Sequence, residues 1–345
     1  MTMSSPESHC RPDVLQSVPA YKRSRLWIQA RNSGFGEWVR ACRRCPRELR
    51  SWFNLKPATP VDLEELSRSI ALLGSELATD DYAKETVAPI FLLSVGWRAG
   101  STLLQRVLVT DPSLLLWGEP LGEMALLPRM TEMISHFISD RNLKEWRSQP
   151  PLDSPALSQS WIANLYPPGV SFRAGLRSLF DQWLSEPAKQ SGYLRWGLKE
   201  VRIGAREALL LHWLYPKAKF VIISRHPYDC YRSLVDAGWG GVFDRYPEAV
   251  VDSAASFARH WNQIAVSLSQ LPAEFPIVKI KYDDLISGKV DFRRLETWLD
   301  IRIKEDAALS ASVGGTATRA ALSWYERLII RREASQGMRA LGYAE

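Results

Sequence analysis

Long apolar runs are missing from this sequence. No stretch approaches the roughly 18 uninterrupted apolar residues of a membrane-spanning helix, so no span is expected. The N-terminus, Met1-Thr-Met-Ser-Ser-Pro-Glu, is polar and lacks the apolar core of a signal peptide, so the expected location is cytoplasmic. Cysteine is scarce, with four residues at Cys10, Cys42, Cys45 and Cys230. Cys42-Arg-Arg-Cys45 has the spacing of half a zinc site, but no second pair or His-rich partner follows it. A redox Cys-x-x-Cys opens a helix after a strand, and nothing strand-like precedes this one. Two incidental thiols and no metal are therefore expected. Blocks of one charge are also absent. The net charge of +6 suits an anionic ligand, yet the densest cluster (Arg40, Arg43, Arg44, Arg47, Arg50) is short and reads as a solvated helix face. Nucleic acid is not an expected partner. No internal repeat or low-complexity tract is visible.

With 345 residues, 46% of them hydrophobic and 24% charged, the chain can bury a large core as one big domain plus an extension. Residues 1–85 carry helical fragments (24–45 and 61–77) interrupted by Lys56-Pro-Ala-Thr-Pro60, and read as an N-terminal helical extension that packs on the main domain or mediates contacts in a homo-oligomer. From about residue 86 the texture becomes α/β. Residues 89–95 read as a buried strand, followed by a glycine loop and a helix over 101–108. Residues 219–224 and 277–282 give two further strands, with helices over 229–235 and 292–299. A short strand is also expected just before Gly118. Strands alternating with helices predict a three-layer fold like that of the P-loop proteins, with a central parallel sheet and ligands at the strand C-terminal ends. Residues 128–192, rich in Trp, Pro and Ser with helical pieces at 130–138 and 172–184, read as a cap inserted into the 86–345 domain that shapes an acceptor pocket.

The sharpest motif is Ser94-Val-Gly96-Trp-Arg98-Ala99-Gly100-Ser101-Thr102, between a strand and a helix. Glycines let the chain turn so that several N–H groups and a helix N-terminus aim at one anion. Arg98 adds a fixed charge, and Ser101 and Thr102 add hydroxyl donors. It is not a Walker A loop, which has Lys directly after the last glycine; here that residue is Ser101. A second motif, Arg225-His-Pro-Tyr-Asp-Cys-Tyr-Arg-Ser233, follows the strand at 219–224. Arg suits phosphate because its planar fork gives bidentate contacts.

The first loop resembles the 5′-phosphosulfate loop of the sulfotransferases that use 3′-phosphoadenosine-5′-phosphosulfate (PAPS), in the Arg form of the tyrosylprotein and Golgi-type carbohydrate enzymes. The second resembles their 3′-phosphate segment, in which Arg225 and Ser233 would clamp that phosphate. Trp196-Gly-Leu-Lys199-Glu200 is similar to a strand-end segment whose lysine lies near the sulfate. Val313-Gly-Gly-Thr316-Ala-Thr318-Arg319 is similar to a loop that closes over the nucleotide, with Thr316 and Arg319 as its contacts, and the C-terminal Leu341-Gly342-Tyr343 is also family-like. The resemblance spans about residues 86–345.

It implies in-line transfer of a sulfuryl group from PAPS to a hydroxyl or amine of a small-molecule, carbohydrate or peptide acceptor, without a metal. Positioning and electrostatics carry such a reaction, and a base must take the acceptor proton. Glu119, in Leu114-Leu-Leu-Trp-Gly118-Glu119-Pro120, matches the Gly-Glu segment that supplies the base in tyrosylprotein sulfotransferases, with Glu123 as the reserve. Lys199 and Arg98 would offset the leaving charge. Of the five histidines (His9, His136, His212, His226, His260), none lies in a segment matching a histidine base, and His226 is expected to orient the loop after Arg225. Trp161 and Trp239 are candidate liners of the acceptor pocket. Two other readings stand beside this one: a P-loop nucleotide phosphotransferase or kinase, and a non-catalytic member of the fold that binds a nucleotide or a partner.

Overall fold

Five short apolar runs form the strands: β1 (Ile90–Ser94), β2 (Leu114–Trp117), β3 (Arg195–Glu200), β4 (Lys219–Ser224) and β5 (Ile277–Lys281). They pair in the order β2-β3-β1-β4-β5, every neighbouring pair parallel. β1 is central and wholly buried, as are all six residues of β3, which is why these strands are not read as alternating polar and apolar. Gly197 makes the β3–β1 approach possible: a Cβ there would lie 2.0 Å from the Ile90 carbonyl oxygen and 2.5 Å from Leu116 Cδ2.

The computed structural model describes residues 62–74, 87–121, 124–139, 155–159, 162, 165, 167, 169–237, 251–304 and 321–344. All of these belong to one compact unit, Pro46–Glu345. In chain order the helices are α1 (Leu63–Gly74), α2 (Ser101–Leu108), α3 (Leu126–Ser139), α4 (Gly169–Phe180), α5 (Glu186–Gln190), α6 (Ala205–Leu214), α7 (Pro227–Asp236), α8 (Ala254–Ser269), α9 (Tyr282–Ile286), α10 (Phe292–Leu299) and α11 (Trp324–Ala340). One face of the sheet (Ile90, Leu92, Leu116, Val221, Ile223) is covered by α2, α9 and α10 through Leu104, Leu108, Leu285, Phe292 and Leu295. The opposite face (Phe91, Leu93, Trp196, Leu198, Phe220, Ile222) buries residues of α1, α3, α6, α7, α8 and α11. α8 and α11 pack along each other, and α1 packs on α3, α4 and α6.

The expected strands and the α2 and α10 helices form where the sequence places them, and the three-layer α/β architecture is present. Residues 196–200 do end a strand, β3, with Lys199 and Glu200 as its last two residues. One element differs from expectation. The helix expected over 172–184 begins at Gly169 and passes at Asp181 into a π-helical turn, Asp181–Ser185. Pro187 follows in the first turn of α5 and has no N–H to continue the α-helical ladder. Within the π-turn, the Leu184 carbonyl accepts from Trp117 Nε1 at 2.9 Å, which ties this turn to the end of β2. Among the described residues no helix is long and apolar enough to cross a membrane, and no cluster of three or more His, Cys, Asp or Glu side chains has the arrangement of a metal site.

Candidate active site

The loop after β1 leaves the sheet between β3 and β4, the two strands that flank β1. Three of its residues have left-handed backbones: Gly96 (φ 73), Arg98 (φ 64) and Gly100 (φ 94). For Arg98 this is a strained conformation, of order 1–3 kcal/mol, kept where the surroundings fix it. Alternation of left- and right-handed residues turns successive N–H groups to one side, which makes an anion-binding concavity. Gly100 directly precedes α2 and has no side chain for a second reason. A Cβ there would lie 2.2 Å from Tyr282 Cδ2.

Residues far apart in sequence converge here. Arg98 Nε donates to Ser233 Oγ (3.1 Å), and Arg225 NH1 donates to the Arg98 carbonyl (3.3 Å). The Arg225 guanidinium lies 4.2 Å from the Tyr282 ring centroid, so the tyrosine sits between it and Gly100. Burial and the neighbouring Arg225 charge both push the Arg98 guanidinium below its ordinary pKa. Arg225 Nε is buried and has no hydrogen-bond partner among the described residues. Ala99 and Ser101 are buried, whereas Thr102 is exposed. His226 caps α7: its Nδ1 accepts from Tyr228 N (3.3 Å), which leaves the proton on Nε2, 3.1 Å from the Ala344 carbonyl. Tyr343 OH is 2.9 Å from Ser224 Oγ, and Lys281 Nζ donates to the Gly342 carbonyl. The C-terminal segment thus holds the residues next to both Arg225 and Tyr282. Cys230 Sγ contacts the Arg225 carbonyl at 3.6 Å, and burial pushes its thiol up to about 12, so it carries no nucleophile at neutral pH.

A second cluster lies where β2 and β3 end. Lys199 Nζ is 2.7 Å from Glu119 Oε1, and Arg202 NH2 is 3.3 Å from Glu119 Oε2. Lys199 and Glu119, given separate tasks by the sequence, are each other's partners here. Four hydrogen bonds fix the segment that carries Glu119. Trp117 Nε1 reaches Leu184, Gln105 Nε2 on α2 donates to the Leu116 carbonyl (2.8 Å), Lys199 N donates to Gly118 O (3.2 Å), and Leu121 N donates to Glu200 Oε1 (3.2 Å). Alternation along β3 puts Lys199 on the α2 side and Glu200 on the opposite side with Trp196 and Leu198. Glu200 is 1% exposed, and burial, with Glu119 nearby, raises its carboxyl to about 7.

Trp97 joins the two clusters, since Arg202 lies over its ring at 6.0 Å and His260 stacks on it at 4.6 Å. His260 Nε2 is buried without a hydrogen-bond partner among the described residues, and burial lowers the imidazole to about 4. His212 packs against Phe220 and Phe275 in the core. Residues 89–305, well over half of the chain, match the model described as the sulfotransferase family. The chain belongs to the sulfotransferase family. It is therefore a transferase by family, and the match takes in both clusters. A search of curated proteins finds no match. Solved structures with similarity to this sulfotransferase include the sulfotransferase domain from the curacin biosynthetic pathway (20% identity, TM-score 0.41, covering 75% of this chain and 98% of that one). They also include the sulfotransferase domain of the Synechococcus PCC 7002 olefin synthase (20%, 0.40, 76% and 98%) and a sulfotransferase from Alicyclobacillus acidocaldarius (16%, 0.37, 74% and 95%).

Thus Arg98, Ala99, Gly100, Ser101, Arg225 and Ser233 lie in or beside the loop cluster, and Glu119 and Lys199 in the carboxylate cluster. Thr316, Arg319, Glu123, Trp161 and Trp239, with Cys42 and Cys45, lie outside the described residues. Sequence reasoning missed Arg202, Glu200, Gln105, Tyr282 and His260. Arg202 and Glu200 flank a strand end in Lys199-Glu-Val-Arg202, a charge density unusual beside buried apolar residues, and that signal was available.

Proposed function

We propose that this protein transfers a sulfuryl group from PAPS to an acceptor hydroxyl or amine, with Glu119 as the general base. The observation that carries the reading is Arg225. Its guanidinium is packed on Tyr282 beside Arg98, with a buried Nε that lacks a partner among the described residues. Two adjacent guanidiniums at a left-handed loop and a helix start form a cradle that a polyanion would relieve. The donor set therefore fits a nucleotide with phosphates at both ends: Arg225 and Ser233 would hold the 3′-phosphate, and the N–H groups of residues 99–102 the 5′-phosphosulfate, with Arg98 between them.

When bound, PAPS supplies the sulfuryl group and a 5′-phosphate leaving group. Glu119 takes the acceptor's proton on a carboxylate oxygen as the new S–O or S–N bond forms. Lys199 Nζ, now 2.7 Å from Glu119, is placed to turn to the negative charge that develops as the old S–O bond breaks. Arg202 then keeps the second oxygen of Glu119 in place.

One observation favours a second reading of the base. His260 is neutral at pH 7, its Nε2 has no partner among the described residues, and it stacks on Trp97 of the phosphate loop. Release of 3′-phosphoadenosine-5′-phosphate (PAP) from PAPS, measured over a panel of phenols, sugars, tyrosine peptides and aliphatic alcohols, tests both. Glu119→Gln abolishes acceptor-dependent release while His260→Asn retains it. The opposite pattern assigns the base to His260, and no release with any acceptor in the wild type rejects the transfer.

A further inference from the structure

Glu200 is a buried carboxyl that the reaction as derived does not use. Its Oε1 accepts from the Leu121 N–H, two residues beyond Glu119, while its Oε2 is buried with no partner among the described residues. The charged groups that act on it are Glu119 from the segment after β2 and Arg202 from the turn after β3, with Lys199, on the other face of its own strand, acting more weakly. His260 on α8 also feels the Arg202 charge. Two carboxyls therefore share two cations, and only one of the carboxyls, Glu119, is bonded to both.

We propose that Glu200 is a positioning residue for the base: it holds the 119–121 turn and, by gaining or losing a proton, sets how tightly Lys199 and Arg202 grip Glu119. This rests on the reading of Glu119 as base. With Glu200 neutral, both cations are spent on Glu119, and its oxygens are the least available to an acceptor proton. With Glu200 ionised, the second negative charge draws on the same cations and raises the proton affinity of Glu119. The transition falls in the neutral range because burial and the Glu119 charge oppose ionisation of Glu200, holding its carboxyl at about 7. The proton Glu200 releases goes to solvent, so turnover consumes nothing extra.

The test is the pH profile of kcat for PAP release between pH 5.5 and 8.5, run with the best acceptor from the panel, in the wild type, Glu200→Gln and Glu119→Gln. The wild type is expected to show a rise of about ten-fold with its midpoint near pH 7. Glu200→Gln keeps an acceptor oxygen for the Leu121 N–H but fixes the neutral state. Its kcat should stay at the wild-type low-pH level across the range, with affinity for PAP unchanged within about two-fold. A merely structural role would lower kcat evenly and leave the step in place. Should Glu200→Gln fold poorly, an infrared titration of the wild type reads the carboxylic-acid band directly, and a buried carboxyl ionising near pH 7 is expected. The step persisting in Glu200→Gln, or no carboxyl ionising between pH 6 and 8, overturns the proposal. Wild-type turnover in Glu119→Gln would instead overturn the reading it rests on, so the two failures are distinguishable.

Discussion

Replacing Gly100 with alanine perturbs the phosphate loop in two ways that can be separated. The backbone at this position has φ 94, where a Cβ meets the following carbonyl oxygen and costs about 1–2 kcal/mol. The added methyl would also lie 2.2 and 2.6 Å from Tyr282 Cδ2 and Cε2. The ring cannot swing aside freely because the Arg225 guanidinium packs on it, and such overpacking costs about 1–3 kcal/mol. Together these give about 2–5 kcal/mol, and at about 2–4 °C per kcal/mol a fall in Tm on the order of 4–20 °C. The displaced loop should also bind PAP at least about ten-fold more weakly, a loss of about 1.4 kcal/mol. Thermal melting and calorimetric titration of Gly100→Ala, Tyr282→Ala and the double variant form a cycle. With the ring removed, Gly100→Ala should retain only the backbone part, so a coupling of about 1–3 kcal/mol is expected. Strict additivity, or an unchanged Tm and affinity in Gly100→Ala, would refute the packing of Tyr282 on the loop.

Other perturbations read other parts of the site. Arg225→Ala should weaken PAP binding by about 1.5–3 kcal/mol, the scale of a charged hydrogen bond, while AMP binding changes far less; equal losses for both nucleotides would dismiss the 3′-phosphate role. Gly197→Ala, with its Cβ 2.0 Å from the Ile90 carbonyl, should unfold or severely destabilise the protein, seen as a large drop in Tm or in soluble yield. Glu200 also predicts a pH dependence of stability. The unfolded carboxyl ionises near 4.5 and the folded one at about 7. From pH 4.5 to 7 the folded state thus holds a proton that the unfolded state has lost, and the stability this group contributes falls as pH rises. The Tm of the wild type relative to Glu200→Gln should therefore decline across that window and level off above it. A flat difference would place the Glu200 carboxyl at its ordinary pKa.

The sequence discloses the loops better than the cluster between them. Strand β4 and helices α2 and α10 appear where periodicity and β-branched content put them, because buried parallel strands and short amphipathic helices leave local signatures. The glycine loop is likewise legible, since its glycines, Arg98 and its hydroxyl residues all fall within the consecutive stretch Ser94–Thr102. The partnership of Lys199 with Glu119 is not, because it arises from the parallel pairing of β2 with β3, which are distant in sequence. The same holds for Tyr282 beneath Arg225, where β5 delivers an aromatic residue that reads locally as the end of an apolar strand. His260 shows the limit most plainly. It lies on the long helix α8 between Arg259 and Trp261, and only the packing of α8 behind the loop brings it against Trp97.

Calorimetric titration of the protein with PAP, against ADP and AMP and without added metal, tests the proposed donor most directly. Tight binding of PAP with much weaker binding of ADP and AMP is the result expected from Arg225, Ser233 and the left-handed loop. Equal affinity for the three nucleotides, or no binding of PAP, would contradict the assignment of a PAPS site and bring the kinase and partner-binding readings forward.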